Sequence, residues 1–271
     1  MLLSFTKMSG AGNDFVVIDN RKKILPKSLS RLVRQVCRRK FSVGADGALI
    51  LENDPAADFR LRYFNADGSE AEMCGNGARC IAKFAYLLGA AGRKMKFITK
   101  AGLIKAEIKP KTVKIGMNQP HSLRLDFSLP FKGKVWKASF LNTGVPHTVI
   151  FVPDIEKIQV NELGRIIRFH KEFAPQGTNV NFVQKKNVYS LYLRTYERGV
   201  EEETLACGTG ACASAIIAGL KKIVKPPVEV ITSGKIKLRI DYQLVGNVIK
   251  DVSLEGPAEA TFRGEIEVSG G

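Results

Sequence analysis

Two short segments of the chain carry a cysteine, two glycines and an alanine in the same order. They are Cys74-Gly75-Asn76-Gly77-Ala78 and Cys207-Gly208-Thr209-Gly210-Ala211. A cysteine at the amino end of a helix lies at the positive end of the helix dipole, beside backbone N–H groups that favour the thiolate over the thiol. Glycines let the backbone approach a ligand closely, so the same turns could hold a carboxylate. For one segment alone, a buried structural cysteine followed by a tight turn would be an equally good interpretation.

The two segments are 133 residues apart, and the same shift aligns other parts of the chain in order. It carries Val16-Val17-Ile18 onto Val149-Ile150-Phe151, Gly44-Ala45-Asp46 onto Gly177-Thr178-Asn179, Tyr63 onto Tyr196, and Ile98-Thr99 onto Ile231-Thr232. Several matches at one offset, close to half the chain length, indicate two copies of a single fold. Because both copies keep the Cys-Gly-x-Gly pattern, the repeat favours a functional role for the two cysteines over a structural one.

The repeat also predicts the domain division. The segment Gly116-Met117-Asn118-Gln119-Pro120 interrupts the preceding strand pattern, so we expect one domain over residues 1–117 and a second over 118–260. The tail at 261–271 could pack back on the first domain. Each copy has the order strand, helix, several strands, a helix opened by the Cys-Gly-x-Gly-Ala segment, and more strands.

The helices that follow the two cysteines differ from an ordinary surface helix. Residues 78–88 and 211–220 are apolar almost all round, so each of these helices must be buried on every side. Residues 28–40 instead show an apolar stripe opposite three arginines, which is typical of a helix with one wet face. The expected fold class is therefore α+β, with two similar barrel-like domains in which strands wrap around a central buried helix.

Composition limits the classes of function. The 271 residues carry 42 basic and 26 acidic groups, a net charge of +16, and 45% of them are apolar. The basic residues are spread over predicted solvent faces without a nucleic-acid motif, so nucleic-acid binding is not the expected function. The sequence contains neither a long apolar stretch nor a signal-peptide pattern. Its cysteines number five, so at least one of them must be free of a disulfide bond within the chain. We therefore expect a protein of a reducing compartment, the cytoplasm.

A metal site is the competing use of the cysteines. Cys74 with Cys80 and Cys207 with Cys212 are separated by six and five residues along their helices. These spacings rotate the second sulfur by roughly 240° and 140° from the first, so neither pair shares a helix face. No metal is expected, and Cys37, Cys80 and Cys212 are interpreted as small core residues.

Two thiols that face a ligand from opposite sides suit a reaction at carbon, in which one thiolate removes a proton and the other thiol returns one to the opposite face. Five longer motifs follow one another along the chain: Gly10-Ala11-Gly12-Asn13-Asp14-Phe15, Phe64-Asn65-Ala66-Asp67-Gly68-Ser69-Glu70, Cys74-Gly75-Asn76-Gly77-Ala78-Arg79-Cys80, Tyr196-Glu197-Arg198-Gly199 and Ala206-Cys207-Gly208-Thr209-Gly210-Ala211. In these motifs, and over nearly its whole length, the chain resembles the diaminopimelate epimerase family, whose members invert one centre of LL-2,6-diaminopimelate to the meso isomer without a cofactor.

The resemblance assigns roles to single residues. It implies that Cys207 takes the proton from the LL isomer and that Cys74 supplies the new one. It implies that backbone groups of Gly75 and Asn76, and of Gly208 and Thr209, hold the carboxylate at the reacting centre. Five further positions match substrate-binding residues of the family: Asn13, Asn65, Asn179, Glu197 and Arg198. His147 and Glu197 match residues that tune the pKa values of the cysteines.

The chain departs from the family pattern at two positions. Val145 stands where many members have asparagine before Pro-His, and Gly47 stands where some members have glutamine. Both changes bear on how tightly the distal end of the substrate is recognised.

Two other functions stay open at this stage: a different two-thiol racemase, such as a proline or hydroxyproline racemase, and an anion-binding module without catalysis. The asparagines could each be turn residues, Arg198 could be a surface ion-pair residue, and His121 and His170 receive no role. The expected partner is a small amino acid substrate, with no nucleic acid and no membrane, and a homodimer is compatible with this interpretation.

Overall fold

The computed structural model describes residues 1–26, 28–72, 74–246 and 248–268. Its contacts divide the chain into unit 1, Met1–Ile115 with Gly256–Gly271, and unit 2, Gly116–Glu255. The sequence places the domain limits at 117 and 260 instead. The chain returns to unit 1 before residue 261 because the whole final strand, Glu259–Glu267, pairs with the first strand, Leu2–Gly10.

Unit 1 is a run of strands interrupted by two helices. Its elements are β1 Leu2–Gly10, β2 Asn13–Asp19, α1 Ser30–Cys37, β3 Gly47–Glu52, β4 Phe59–Asn65, β5 Glu70–Ala71, α2 Gly75–Leu87, β6 Lys94–Thr99, β7 Gly102–Ile108, β8 Val113–Gly116 and, from the end of the chain, β18 Glu259–Glu267. The strands pair in the order β18, β1, β2, β3, β4, β6, β7, β8. The β2–β3 and β4–β6 pairs are parallel and the others are antiparallel.

Unit 2 repeats this arrangement. Its elements are β9 His121–Phe131, β10 Lys134–Asn142, β11 Pro146–Phe151, α3 Val160–Arg168, a 3-10 turn Lys171–Phe173, β12 Asn179–Asn187, β13 Ser190–Glu197, β14 Glu202–Thr204, α4 Gly208–Leu220, β15 Val228–Thr232, β16 Lys237–Val245 and β17 Val248–Gly256. The pairing order is β9, β10, β11, β12, β13, β15, β16, β17, with β11–β12 and β13–β15 parallel. The two halves that match in sequence therefore also share the same order of strands and helices.

Each unit has a central helix. Helix α2 contacts β1, β2, β3, β4, β7 and β18, and α4 contacts β10, β11, β12, β13, β15 and β16. The faces of α4 are buried from Gly208 to Ala218 except at Thr209, as the all-round apolar pattern predicts. The α+β fold with strands around a buried helix is confirmed.

Helices α2 and α4 begin at Gly75 and Gly208, so the Cys-Gly-x-Gly-Ala segments open the two helices as the sequence predicts. Helix α1 is shorter than the predicted 28–40, because Arg38 is already extended and Lys40 has a positive φ. None of the helices in the described ranges is long and apolar enough to cross a membrane.

Candidate active site

The cysteines of the two repeated segments cap the central helices. Cys74 is the N-cap residue of α2, and its Sγ accepts a hydrogen bond from the backbone N–H of Gly77 at 3.5 Å. Cys207 is the N-cap residue of α4, and its Sγ lies 3.5 Å from Oγ1 of Thr209. Both sulfurs therefore lie at the positive end of a 13-residue helix, where a thiolate is stabilised.

The remaining three cysteines have a different environment. Burial raises the pKa of Cys37 and of Cys80 to about 12. Cys212 is completely buried inside α4. Within the described ranges, no three His, Cys, Asp or Glu side chains come close enough together to hold a metal ion. These three thiols are core residues.

This contrast predicts an order of chemical modification. Under brief native treatment with iodoacetamide, Cys74 should be alkylated roughly tenfold or more faster than Cys37, Cys80 or Cys212, because it is half-exposed at a helix amino end and they are buried. Cys207, with 5% of its surface exposed, should react more slowly than Cys74. Peptide mass spectrometry at timed intervals measures this, and labelling in guanidinium shows that all five can react. Early labelling of Cys80 would contradict the assignment.

Around Cys74, a chain of side-chain amides links the first turn of α2 to β2. Oδ1 of Asn76 accepts from Nη2 of the buried Arg79 at 2.8 Å, and Nδ2 of Asn76 donates to Oδ1 of Asn13 at 2.5 Å. Nδ2 of Asn13 then donates to the Asp46 carboxylate at 3.0 Å. Because a guanidinium only donates and a carboxylate only accepts, the two ends fix the orientation of both amides. The structure thus brings the predicted residues Asn13 and Asn76 together, and it adds Arg79 and Asp46, which the sequence interpretation left out.

Asn65 lies at the end of β4, opposite Gly47 in the strand register. Its Oδ1 accepts from the Tyr63 hydroxyl at 2.8 Å, and its Nδ2 donates to Oγ of Ser69 at 3.1 Å. A Cβ at Gly47 would lie 2.4 Å from the Phe64 carbonyl oxygen. The backbone of this chain therefore has no room for the glutamine that some members of the resembled family carry at Gly47.

In unit 2, Asn179 connects two segments of backbone. Its Nδ2 donates to the Pro146 carbonyl at 2.9 Å, and its Oδ1 accepts from the backbone N–H of Arg198 at 2.8 Å. The Arg198 side chain donates to the Gln176 carbonyl at 3.2 Å and, among the described residues, forms no ion pair with a carboxylate. The half-buried Glu197 accepts from Oγ1 of Thr204 at 2.9 Å. The hydrogen-bond partner that the structure gives the Arg198 guanidinium is thus a neutral backbone carbonyl.

His147 lies on β11 and is completely buried. Burial, followed by the positive charge of Arg198, lowers its pKa to about 3, so the imidazole is neutral near pH 7. Its Nδ1 lies 3.1 Å from Nδ2 of Asn181. Asn181 was missed by the sequence interpretation, although its spacing of two residues from Asn179 puts both on one face of β12.

In the same unit, Oγ1 of Thr143 donates a hydrogen bond to the carbonyl of Thr209 at 2.9 Å. This bond connects the loop before His147 to the first turn of α4.

The fold is shared with solved structures of low sequence identity. A phenazine biosynthesis protein of the PhzF family from Bacillus anthracis matches with a TM-score of 0.77 at 13% identity, covering 99% of this chain and 100% of that one. A hydroxyproline epimerase from Agrobacterium vitis matches with a TM-score of 0.72 at 13% identity, covering 98% and 92%. At these identities the comparison establishes the fold alone.

Sequence comparison is more specific. The profile of the family described as Diaminopimelate epimerase matches residues 5–122 and again 139–250. The diaminopimelate epimerase of Aquifex aeolicus is 47% identical over 276 residues, covering 97% of this chain and 98% of the relative. That of a Hydrogenobaculum species is 43% identical over 274 residues, covering 96% and 97%. With two family matches along the chain and relatives of this identity at nearly full length, the chain belongs to the diaminopimelate epimerase family.

Proposed function

We propose that this protein is an isomerase that inverts one stereocentre of LL-2,6-diaminopimelate and yields the meso isomer, without pyridoxal phosphate and without a metal. The observation that carries the proposal is the pair of cysteines that cap the buried helices α2 and α4 of a duplicated fold. Membership of the family supplies the substrate class, a small amino acid with two amino acid ends. This step is a reaction of lysine and peptidoglycan precursor biosynthesis.

In the proposed reaction, the Cys207 thiolate removes the proton from the α-carbon of the LL centre, and the C–H electron pair stays on carbon as a carbanion conjugated with the carboxylate. The Cys74 thiol then donates its proton to the opposite face, so the centre is inverted and Cys74 is left as the thiolate. The mechanism requires one thiol on each face of the reacting carbon. Backbone N–H groups of Gly75 and Asn76, and of Gly208 and Thr209, would hold the carboxylate where negative charge develops.

The distal end of the substrate needs complementary charges. In our proposal Arg198 pairs with the distal carboxylate and Glu197 with the distal ammonium group, while Asn13, Asn65 and Asn179 orient the chain between the two ends. Support for this comes from Arg198, whose guanidinium donates a hydrogen bond to the neutral Gln176 carbonyl and can pair with a carboxylate. We propose that His147 and Glu197 tune the cysteine pKa values, with His147 acting as a neutral group because of its lowered pKa.

The direct test is incubation of the purified protein with LL-diaminopimelate in EDTA, with no cofactor added, followed by chiral chromatography. We expect conversion to a mixture of the LL and meso isomers. Activity that is abolished by EDTA and restored by zinc, or that needs added pyridoxal phosphate, would overturn the proposal. Inversion of proline or hydroxyproline in place of diaminopimelate would favour the other two-thiol racemase.

Substrate preference gives a second measurement. Diaminopimelate should be preferred over lysine or proline by roughly 10- to 100-fold in kcat/KM, because only diaminopimelate offers a second carboxylate for a charge-assisted hydrogen bond to Arg198. Arg198→Gln should remove most of this preference by raising KM for diaminopimelate, whereas Arg239→Gln, at an exposed position of β16, should not. Equal turnover of lysine and diaminopimelate by the unaltered protein would show that the distal group is not recognised.

The proposed setting is the cytoplasm, because all five cysteines are thiols and a reducing compartment keeps them so. We propose no nucleic-acid or membrane partner, and a homodimer is the assembly to test by light scattering.

A further inference from the structure

A buried polar network in unit 2 lies next to the first turn of α4. Its centre is Asn181 on β12, which is completely buried. Nδ2 of Asn181 donates to the Thr148 carbonyl at 3.0 Å and lies 3.1 Å from Nδ1 of His147. Oδ1 of Asn181 accepts from Oγ1 of Thr195 at 3.1 Å.

The orientation of the Asn181 amide follows from its partners. The Thr148 carbonyl can only accept a hydrogen bond, so the amide nitrogen and not the amide oxygen must face it. The same nitrogen also faces Nδ1 of His147, and its second hydrogen is directed there. Nδ1 must therefore be the unprotonated, accepting nitrogen of the imidazole, and the ring hydrogen must sit on Nε2.

Nε2 of His147 is a buried nitrogen with no hydrogen-bond partner in the described part of the chain. A buried N–H that stays unpaired costs roughly 1–3 kcal/mol, so such groups are rare in native proteins and one at this position calls for an explanation. The lowered pKa of His147 agrees with a ring that carries one hydrogen and no charge. The hydrogen on Nε2 therefore has no acceptor among the described residues.

The network is built against the reactive end of α4. A Cβ on Gly210 would lie 2.3 Å from Oδ1 of Asn181 and 3.3 Å from Sγ of Cys207. The amide of Asn181 and the thiol of Cys207 therefore both lie next to the position that a side chain at Gly210 would occupy. The network that orients His147 and the thiol proposed as the base share one small region of unit 2.

We propose that Asn181 is a positioning residue that fixes His147 as the neutral Nε2–H tautomer, so that His147 is a hydrogen-bond donor and not a proton carrier in the reaction. This inference deepens the proposed function and rests on it for the identity of the reaction. A neutral donor of this kind stabilises negative charge on an acceptor without competing with Cys207 for the substrate proton.

Nitrogen-15 NMR of the protein labelled at histidine tests the tautomer directly. The chain has three histidines, so the spectrum is small, and His121 and His170 act as internal references. In the substrate-free protein near pH 7 we expect an unprotonated Nδ1 and a protonated Nε2 for His147. In Asn181→Asp the carboxylate should draw a hydrogen to Nδ1 and change the His147 signals, while Asn187→Asp, at the exposed end of the same strand, should leave them unchanged.

Activity of the same variants tests the consequence. Asn181→Asp should lower kcat by roughly 10- to 100-fold, the loss typical when the hydrogen-bond partner of a metal-bound histidine is removed. Its pH profile should also shift, because a carboxylate beside the ring favours the imidazolium. Asn187→Asp should match the unaltered protein in both respects. Asn181→Ala serves as the second variant if the aspartate variant does not fold, and it should also lose the single-tautomer signature and lower kcat.

The outcomes separate this inference from the proposed function. A wild-type spectrum with hydrogen on Nδ1, or with a charged ring at pH 7, overturns the inference whatever the enzyme does, and so does an unchanged His147 tautomer in folded Asn181 variants. Wild-type kcat in those variants also overturns it. If the protein shows no epimerase activity, the spectrum still decides the tautomer, and the proposed function fails by itself.

Discussion

Replacing either Cys74 or Cys207 by alanine should reduce inversion of diaminopimelate by at least roughly 10²- to 10⁴-fold, the range that a positioned acid or base contributes. Each variant leaves one face of the reacting carbon without a proton carrier, so the losses should not add in the double variant. Both variants should fold. Alanine is smaller than cysteine and introduces no clash, and both side chains lie at helix caps.

Cys37→Ala is the matched control, because it removes a buried thiol of unit 1 that lies outside the proposed chemistry. It should keep the activity of the unaltered protein. Circular dichroism and thermal melting establish that all variants fold. Epimerisation at the original rate by a folded Cys74 or Cys207 variant would return the Cys-Gly-x-Gly segments to a structural role.

Turnover in D2O distinguishes two bases from one. Early in the reaction, deuterium should appear mainly in the inverted product and little in recovered substrate, because the incoming proton comes from a different thiol than the one that took the substrate proton. A single base would carry some substrate hydrogen into the product, and it would exchange hydrogen with the solvent in both the substrate and the product. Mass spectrometry of the separated isomers measures the distribution.

The second large effect is expected from a single methyl group. Gly210→Ala should lower the melting temperature by roughly 3 to 10 °C, from an overpacking cost of roughly 1–3 kcal/mol. The new Cβ would lie 2.3 Å from Oδ1 of Asn181. The Asn181 side chain is buried, and it cannot move without losing hydrogen bonds, because its Oδ1 accepts from Thr195 and its Nδ2 donates to the Thr148 carbonyl. The same displacement disturbs the orientation of His147, so kcat should fall by roughly tenfold or more.

The internal repeat provides the control. Gly77 is the equivalent residue of α2. The nearest atoms to a Cβ at Gly77 would be the end of the Leu49 side chain at 3.0 Å, Cβ of Cys74 at 3.6 Å and a ring carbon of Phe15 at 3.6 Å. Alanine also stabilises a helix by up to about 1 kcal/mol relative to glycine. Gly77→Ala should therefore change stability by less than about 1 kcal/mol in either direction. Equal melting temperatures for the two variants would show that Asn181 is free to move.

Local features were readable from the sequence because their physical causes are local. The position of Cys74 and Cys207 at helix starts follows from glycines and a helical apolar pattern, and the burial of α2 and α4 follows from the lack of a polar face. The repeat was visible because it is a comparison of the chain with itself. The longer motifs around the cysteines and around Tyr196-Glu197-Arg198-Gly199 carried the resemblance that the family profile and relatives now support.

Other features depend on partners that are distant along the chain. The pairing of β1 with β18 joins Thr6 to Arg263, and nothing in either segment specifies the other, so only the fold shows where the chain returns to unit 1. The sequence predicts no site role for Arg79, and only the fold shows that its guanidinium orients Asn76 and, through it, Asn13.

The fold class, the repeat, the family and the residue types of the proposed chemistry can be predicted from the sequence, because periodicity, capping and motif identity are properties of neighbouring residues. How the side chains are oriented and protonated depends on the tertiary structure. The tautomer of His147 depends on Asn181, whose orientation depends in turn on the Thr148 carbonyl. A hydrogen bond has a direction and a limited length, so which atom donates is fixed only when strands β11 and β12 are brought side by side.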